Sequence, residues 1–312
     1  MNLNYKYHLP APIWSQVYQL HAHEEFMTKF FVKGKFHNSV PDDIVKDFTT
    51  VERLIEYSYY HYPFLDEAYS KSLRVFEAAI KLRLECLGYK IKGYEPLNKL
   101  MKMLTPHTSE AFFTWWNGIR EMRNEIIHSQ SGTLLGITVL SKLPLMVNAI
   151  NTVFLDKEFF DSVDLEFKKL SEQIKIFIGK PMVLNFDSDR YLIRDIFLSF
   201  IFQKNGVKQS LWVFYPILKT FPKSFQGVHQ YSPIFLRLKN AEVSAEKLTG
   251  FSLKSGKKIT VSITKQPIDM EAFEIHKQLM SISSKEINAY YFEILKAKAN
   301  QEITNFMYDE CW

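Results

Sequence analysis

Six consecutive residues, Arg123-Asn124-Glu125-Ile126-Ile127-His128, hold side chains of the types that can work on a phosphodiester without a metal. Histidine gains and loses a proton near neutral pH, so His128 can act as acid or base. Arg123 carries a permanent planar cation whose paired N–H donors match two phosphate oxygens. Asn124 could orient the imidazole or hydrogen-bond the phosphate. Metal-free RNA cleavage needs a base for the ribose 2′-hydroxyl, a proton donor for the departing 5′-oxygen, and positive charge on the phosphate. The other reading is a surface arginine and a helix-terminal histidine favoured by the helix dipole.

These residues close a helical run that begins near Ser109. Within it Phe112, Trp115, Ile119, Met122 and Ile126 recur at steps of three and four, the period of a buried helical face. Arg120, Arg123, Asn124 and His128 fan out along one flank of that stripe, with Glu121 and Glu125 beyond them. Asn124 and His128 are four apart and therefore neighbours. Arg123 and His128 are five apart, about 140° around an ideal helix, and cannot face one small point. Either the helix loosens before Ser129, or a second copy of the chain completes the site.

The surrounding pattern is helical. Pro10 and Pro12 lead into an expected helix from Ile13 to about Val32, with Gly34 at its end. His21 and His23 lie within it, two apart and so about 160° from one another, which suits a solvated helix surface better than a metal. A second helix runs from Pro41-Asp42-Asp43 to about His61 and carries Tyr57, Tyr59, Tyr60 and Tyr62, read as core and dimer surface in preference to a base-stacking cluster. A third, about Leu65 to Leu87, buries Leu73, Phe76, Ile80, Leu84 and Leu87 and is stopped by Gly88. Pro96 to Leu104 bridges to the motif helix. After the turn residues Ser129 to Gly132, a helix from Thr133 to about Leu155 follows, with a kink expected at Pro144.

An arginine, four residues and a histidine, with a polar residue after the arginine and a place at the end of the third of four main helices, resembles the signature of the HEPN superfamily (higher eukaryotes and prokaryotes nucleotide-binding). The resemblance covers roughly residues 41–155. It implies a metal-independent endoribonuclease with no cofactor. Two motifs would meet across a homodimer in one composite cleft, leaving 2′,3′-cyclic phosphate and 5′-hydroxyl ends. It also implies a polar or acidic residue near the motif, for which Glu77 is the first candidate; an i,i+4 pair with Lys81 is the equal alternative. Many bacterial members act as toxins or antiviral effectors, so an antitoxin or regulatory protein is a further expected partner. The alternative within this family is a catalytically inactive module that binds nucleotide, RNA or another protein.

The resemblance says nothing of the second half. After an amphipathic segment, Glu158 to Phe177, the sequence Gly179-Lys180-Pro181 marks an expected boundary, giving residues 1–40 as an accessory helix, 41–178 as the helical domain and 179–312 as a β-rich domain. Strands are expected at Met182–Phe186, Tyr191–Gln203, Gln209–Leu218, Pro233–Leu238 and Lys258–Thr264, with hairpin turns at Lys204-Asn205-Gly206 and Lys254-Ser255-Gly256-Lys257. Helices from about Asp269 to Ile282 and Ser284 to Phe306 close the chain. The fold class is therefore α+β.

Net charge is only +5, yet Lys204 to Lys265 holds eleven Lys or Arg against Glu242 and Glu246, a local +9. Together with Trp212, Phe214, Tyr215, Phe221, Phe225 and Tyr231, this could form an RNA groove, or a solvated lysine-rich sheet face. Lys254, Lys257 and Lys258, with Arg120 on the motif helix, are the expected RNA contacts. Cys86 and Cys311 are the only cysteines, which excludes a disulfide framework and a cysteine-rich zinc site. Leu134 to Leu155 is interrupted by Lys142, Pro144, Asn148 and Asn151 and reads as a core helix, not a membrane span. No signal-peptide pattern opens the chain, and a reduced cytoplasmic setting is expected. Walker, nucleophile-elbow and zincin motifs are missing.

Overall fold

The computed structural model describes residues 9–91, 93, 95–128, 136–217, 232–282 and 285–312; for 125–128, 279–282 and 285–292 it describes the backbone alone. The chain divides into two compact units, Met1–Phe160 with Trp312, and Asp161–Cys311. The boundary expected at Gly179 therefore falls inside the second unit.

The first unit is helical among its described residues. The segment expected as one helix from Ile13 to Val32 is two, α1 (Pro12–Gln16) and α2 (His23–Phe30). Gln19 lies between them at φ 55°, a conformation that no continuous right-handed helix accommodates. The break folds Trp14 inward, fully buried, against Tyr18, Phe26, Phe30 and Tyr62. His23 is not on a solvated face: its ring packs on Phe26, Tyr59 and Tyr60. The long helices α3 (Asp42–Tyr57) and α4 (Phe64–Cys86) pack together, and α4 also meets α5 (Leu97–Leu104) and α7 (Leu143–Val153). The motif lies on α6 (Glu110–His128).

Two expectations are corrected here. Pro144 does not kink a long helix. A short 3-10 helix, Gly136–Ser141, comes first and Pro144 sits in the opening turn of α7, where a missing N–H costs nothing. The core-facing tryptophan of α6 is Trp116 and not Trp115: Trp116 is 1% exposed and its Nε1 donates to Thr152 Oγ1 at 3.0 Å, while Trp115 is half-buried, edge-on to Phe112. Thr152 supplies the one feature a periodicity count lacks, a buried acceptor for the indole N–H.

The second unit contains the end of α8 (Lys157–Gln173), then six antiparallel strands, β1 (Met182–Phe186), β2 (Asp189–Lys204), β3 (Val207–Pro216), β4 (Ile234–Val243), β5 (Lys247–Ser252) and β6 (Lys258–Ile263). Each pairs with the next, and β1 pairs with β6, so the sheet closes into a barrel. Asn205 and Gly206, both at positive φ, make the tight β2–β3 turn. The register places Leu184, Ile196, Trp212, Phe214, Leu236, Leu248, Ile259 and Val261 on one face, all buried. In a closed sheet that face is the interior. Trp212 and Phe214, expected as candidate base-stacking residues, are therefore core. β5 was not anticipated. Its pattern is short and includes Gly250, where a Cβ would press on the Leu238 side chain at 3.3 Å.

Helices α9 (Pro267–Ile282) and α10 (Lys285–Phe306) follow. Phe273 of α9 buries against Val183, Leu192 and Ile217, on the barrel's outer face. Asp269, 2% exposed in the first turn of α9, receives Arg190 Nη1 at 3.1 Å and Thr264 Oγ1 at 2.7 Å. That buried carboxylate fixes the helix start to the barrel.

Candidate functional site

Helix α6 is entered through Ser109, whose Oγ accepts the Phe112 N–H. Phe112, Trp116 and Ile119 then turn one face to the core, which leaves Arg120, Arg123 and Asn124 on its flank, partly exposed. Tyr69 of α4 donates its hydroxyl to Met122 Sδ at 3.9 Å and holds α6 beside α4. Burial pushes that phenol up to about 12, so it stays a donor.

On α4, burial of Leu73, Phe76 and Ile80 puts Glu77 at the edge facing α6. Its carboxylate stands 3.4 Å from Arg123 Nη2 through one oxygen and 2.9 Å from Lys81 Nζ through the other. The two sequence readings of Glu77 are thus realised together: it is the acidic neighbour of the motif and the i,i+4 partner of Lys81. Arg123 Nη1 donates to Asn124 Oδ1 at 3.3 Å. The Arg123 and Glu77 side chains are 22% and 14% exposed, so their attraction is only partly screened. Two cations around one carboxylate leave a local positive excess, suited to an anion.

Arg120 is engaged by its own helix, through Asn117 Oδ1 at 2.9 Å and Glu121 Oε1 at 3.4 Å. Arg123, Asn124 and Glu77 are brought together; Arg120 lies one turn earlier on the same helix. The imidazole of His128 lies outside the described side chains. The backbone of α6 is helical through His128, so the offset of about 140° from Arg123 persists, with an axial rise of about 7.5 Å.

The expected lysine contacts belong to the other unit. Lys254, Lys257 and Lys258 are all exposed at the β5–β6 turn, and Lys257 Nζ pairs with Asp187 at 3.2 Å. Among the described residues, the register sets Arg237, Lys239, Lys247 and Lys258 on the outer face of β4, β5 and β6. In an up-and-down closed sheet the β5–β6 turn shares a rim with the β1–β2 turn, whereas Lys204 and Lys208 flank the β2–β3 turn on the opposite rim. Acids from outside the window meet its cations: Glu166 on Lys208 at 2.9 Å, and Asp309 and Glu310 on Arg237 at 3.0 and 3.4 Å. A groove of about 480 Å3 opens beside Lys208, lined by Glu166, Lys169, Asn240 and Glu242. Phe221, Phe225 and Tyr231 lie outside the described residues.

Sequence reasoning missed a cluster on β2. Arg194 sits at a register irregularity, its Nη1 3.4 Å from Nε2 of His276 on α9. Burial first, then the Arg194 charge, pushes His276 down to about 4, so at neutral pH it is an uncharged acceptor. A one-residue break in strand alternation was the only available signal. Among the described residues no group of three or more His, Cys, Asp or Glu is placed to hold a metal. The chain matches no protein-family model and no curated protein, so the reading of this site rests on its own residues and geometry.

Proposed function

We propose that the chain is a metal-independent endoribonuclease of the HEPN type, acting on RNA through the α6 terminus. The observation that carries this reading is the Arg123 guanidinium clamped by Glu77 and Asn124 at a partly exposed helix flank, on a helix that continues to His128. Arg123 holds the scissile phosphate, His128 moves the proton of the 2′-hydroxyl or of the leaving oxygen, and Asn124 orients one or the other. A regular helix keeps Arg123 and His128 apart, so the working cleft takes its arginine and histidine from two copies of the chain. The role that fits is a cytoplasmic toxin or antiviral effector restrained by a protein partner.

The test is purified protein incubated with total RNA in EDTA, beside Arg123→Ala and His128→Ala. Cleavage to cyclic-phosphate ends by the parent alone supports the reading. Equal cleavage by all three proteins assigns the activity elsewhere. A second reading, a non-catalytic nucleotide- or RNA-binding module, draws on the same Glu77 contact, because a carboxylate on the phosphate-binding arginine restrains it. RNA binding without cleavage would select that reading.

A further inference from the structure

The outer wall of the barrel carries a constellation used by neither the α6 site nor the lysine turns. The β2–β3 register shifts between Ile193 and Asp195, making Arg194 the extra residue of a bulge. Bulges re-aim side chains, and this one lays the Arg194 guanidinium 5.4 Å over the ring of Tyr215. Asp195, the register partner of Tyr215, meets Arg194 Nε at 3.2 Å, and His276 accepts from Nη1. Two residues further along β2, Phe197 stands on the same face. Its ring meets that of Tyr215 edge-on at 5.5 Å and is 51% exposed. Phe197 pairs with Val213, which pairs with the half-buried Phe235.

A guanidinium stacked on one ring, with a second, exposed ring edge-on beside it, offers one open aromatic face edged by a cation. We propose that this wall binds single-stranded nucleic acid, with a base stacked on Phe197, whose ring Tyr215 holds edge-on, and a neighbouring phosphate at Arg194. Every base has a π-face, so such a platform tolerates any sequence, and a duplex cannot offer its bases to it. His276 keeps the guanidinium in plane without cancelling its charge, and Asp195 offsets that charge in part. An acidic peptide would answer to the cation but not to the exposed ring. The proposal deepens the ribonuclease reading, giving its substrate a second foothold, and rests on that reading only for RNA over DNA.

The experiment uses the full chain carrying His128→Ala, in EDTA, with a labelled 12-nucleotide oligouridylate, a duplex RNA of equal length and poly-glutamate. Phe197→Ser and Tyr215→Leu are each expected to weaken single-strand binding about tenfold. Duplex and poly-glutamate binding should not change, and Phe197→Trp, which keeps a ring, should bind as well as the parent. Urea unfolding verifies that each variant is folded. Single-strand affinity equal to the parent in Phe197→Ser and Tyr215→Leu overturns the proposal. An equal loss for all three ligands also overturns it, because the wall then reads charge alone. Cleavage by the chain with His128 intact is scored separately. Phe197-dependent binding without cleavage removes only the ribonuclease reading, and cleavage without Phe197-dependent binding removes only this one.

Discussion

Glu77 shows how one carboxylate can serve and restrain a site together. It stands against Arg123 and, in the proposed ribonuclease, places a negative charge beside the phosphate. Glu77→Gln keeps an acceptor for both Arg123 and Lys81 and removes the charge. For a positioning residue the expectation is a split: a lower KM for RNA, since repulsion is gone, and kcat reduced about 10- to 100-fold, since Arg123 is no longer held in line. Steady-state kinetics on a short oligonucleotide check it; kcat and KM both at parental values would show that Glu77 neither holds Arg123 nor opposes the phosphate. Trp116 gives a stability counterpart. Trp116→Phe removes the indole donor from Thr152 Oγ1, which still donates to the Ala149 carbonyl, and should cost about 1 kcal/mol. Trp116→Ala, which opens a cavity, should cost about 3–5 kcal/mol, read as a shift in the urea midpoint.

At the scale of elements, α9 carries a pH dependence with a definite sign. His276 titrates at about 4 in the fold against an ordinary value of 6.5. The folded chain therefore declines a proton that the unfolded chain accepts, so the contribution is complete above pH 6.5 and is lost as pH falls toward 4. Among the described contacts, Arg194 faces it and Asp195 stands beside Arg194. His276→Gln keeps an acceptor and removes the titration, so its urea midpoint should fall less over this range; identical acid profiles would rule out His276 as the source. The elements themselves were largely legible from sequence. Alternating apolar residues, Asn205-Gly206 and Gly256 marked β1 to β4, β6 and two turns, because those signals are local. β5 escaped because Gly250 interrupts its pattern for a reason that lies on β4. The break at Gln19 escaped because no glycine or proline announces it. Arg123 is singled out by its spacing to His128 and Glu77 by the family resemblance, whereas the Arg194 cluster depends on a register that only the paired strand sets.

For the whole molecule, the fold redistributes the charge that is counted along the chain. Among the described residues of that 62-residue window, the β5–β6 and β2–β3 turns carry their lysines on opposite rims, and Glu166, Asp309 and Glu310 from elsewhere in the same unit pair with Lys208 and Arg237. Closure of the barrel also bears on assembly. A sheet whose first and last strands pair has no edge to offer, so a second copy cannot join by strand addition. We expect a homodimer formed through the helical unit, with the two His128 positions at a shared cleft. Light scattering at micromolar concentration should give twice the chain mass, and an active preparation of strictly single-chain mass would exclude the composite cleft.

Closure has a consequence in time as well as in space. β1 ends at Phe186, while its second partner is complete only at Ile263, 77 residues later. At ribosomal speeds of about 5–20 residues per second, β1 waits roughly 4–15 s for that strand to be made. Until then Met182, Val183 and Leu184 lie on an unpaired border, and the longest-range contact of the barrel is the last available. The second unit cannot be assembled piecemeal during synthesis; it must remain open, with this border exposed, until its sixth strand emerges.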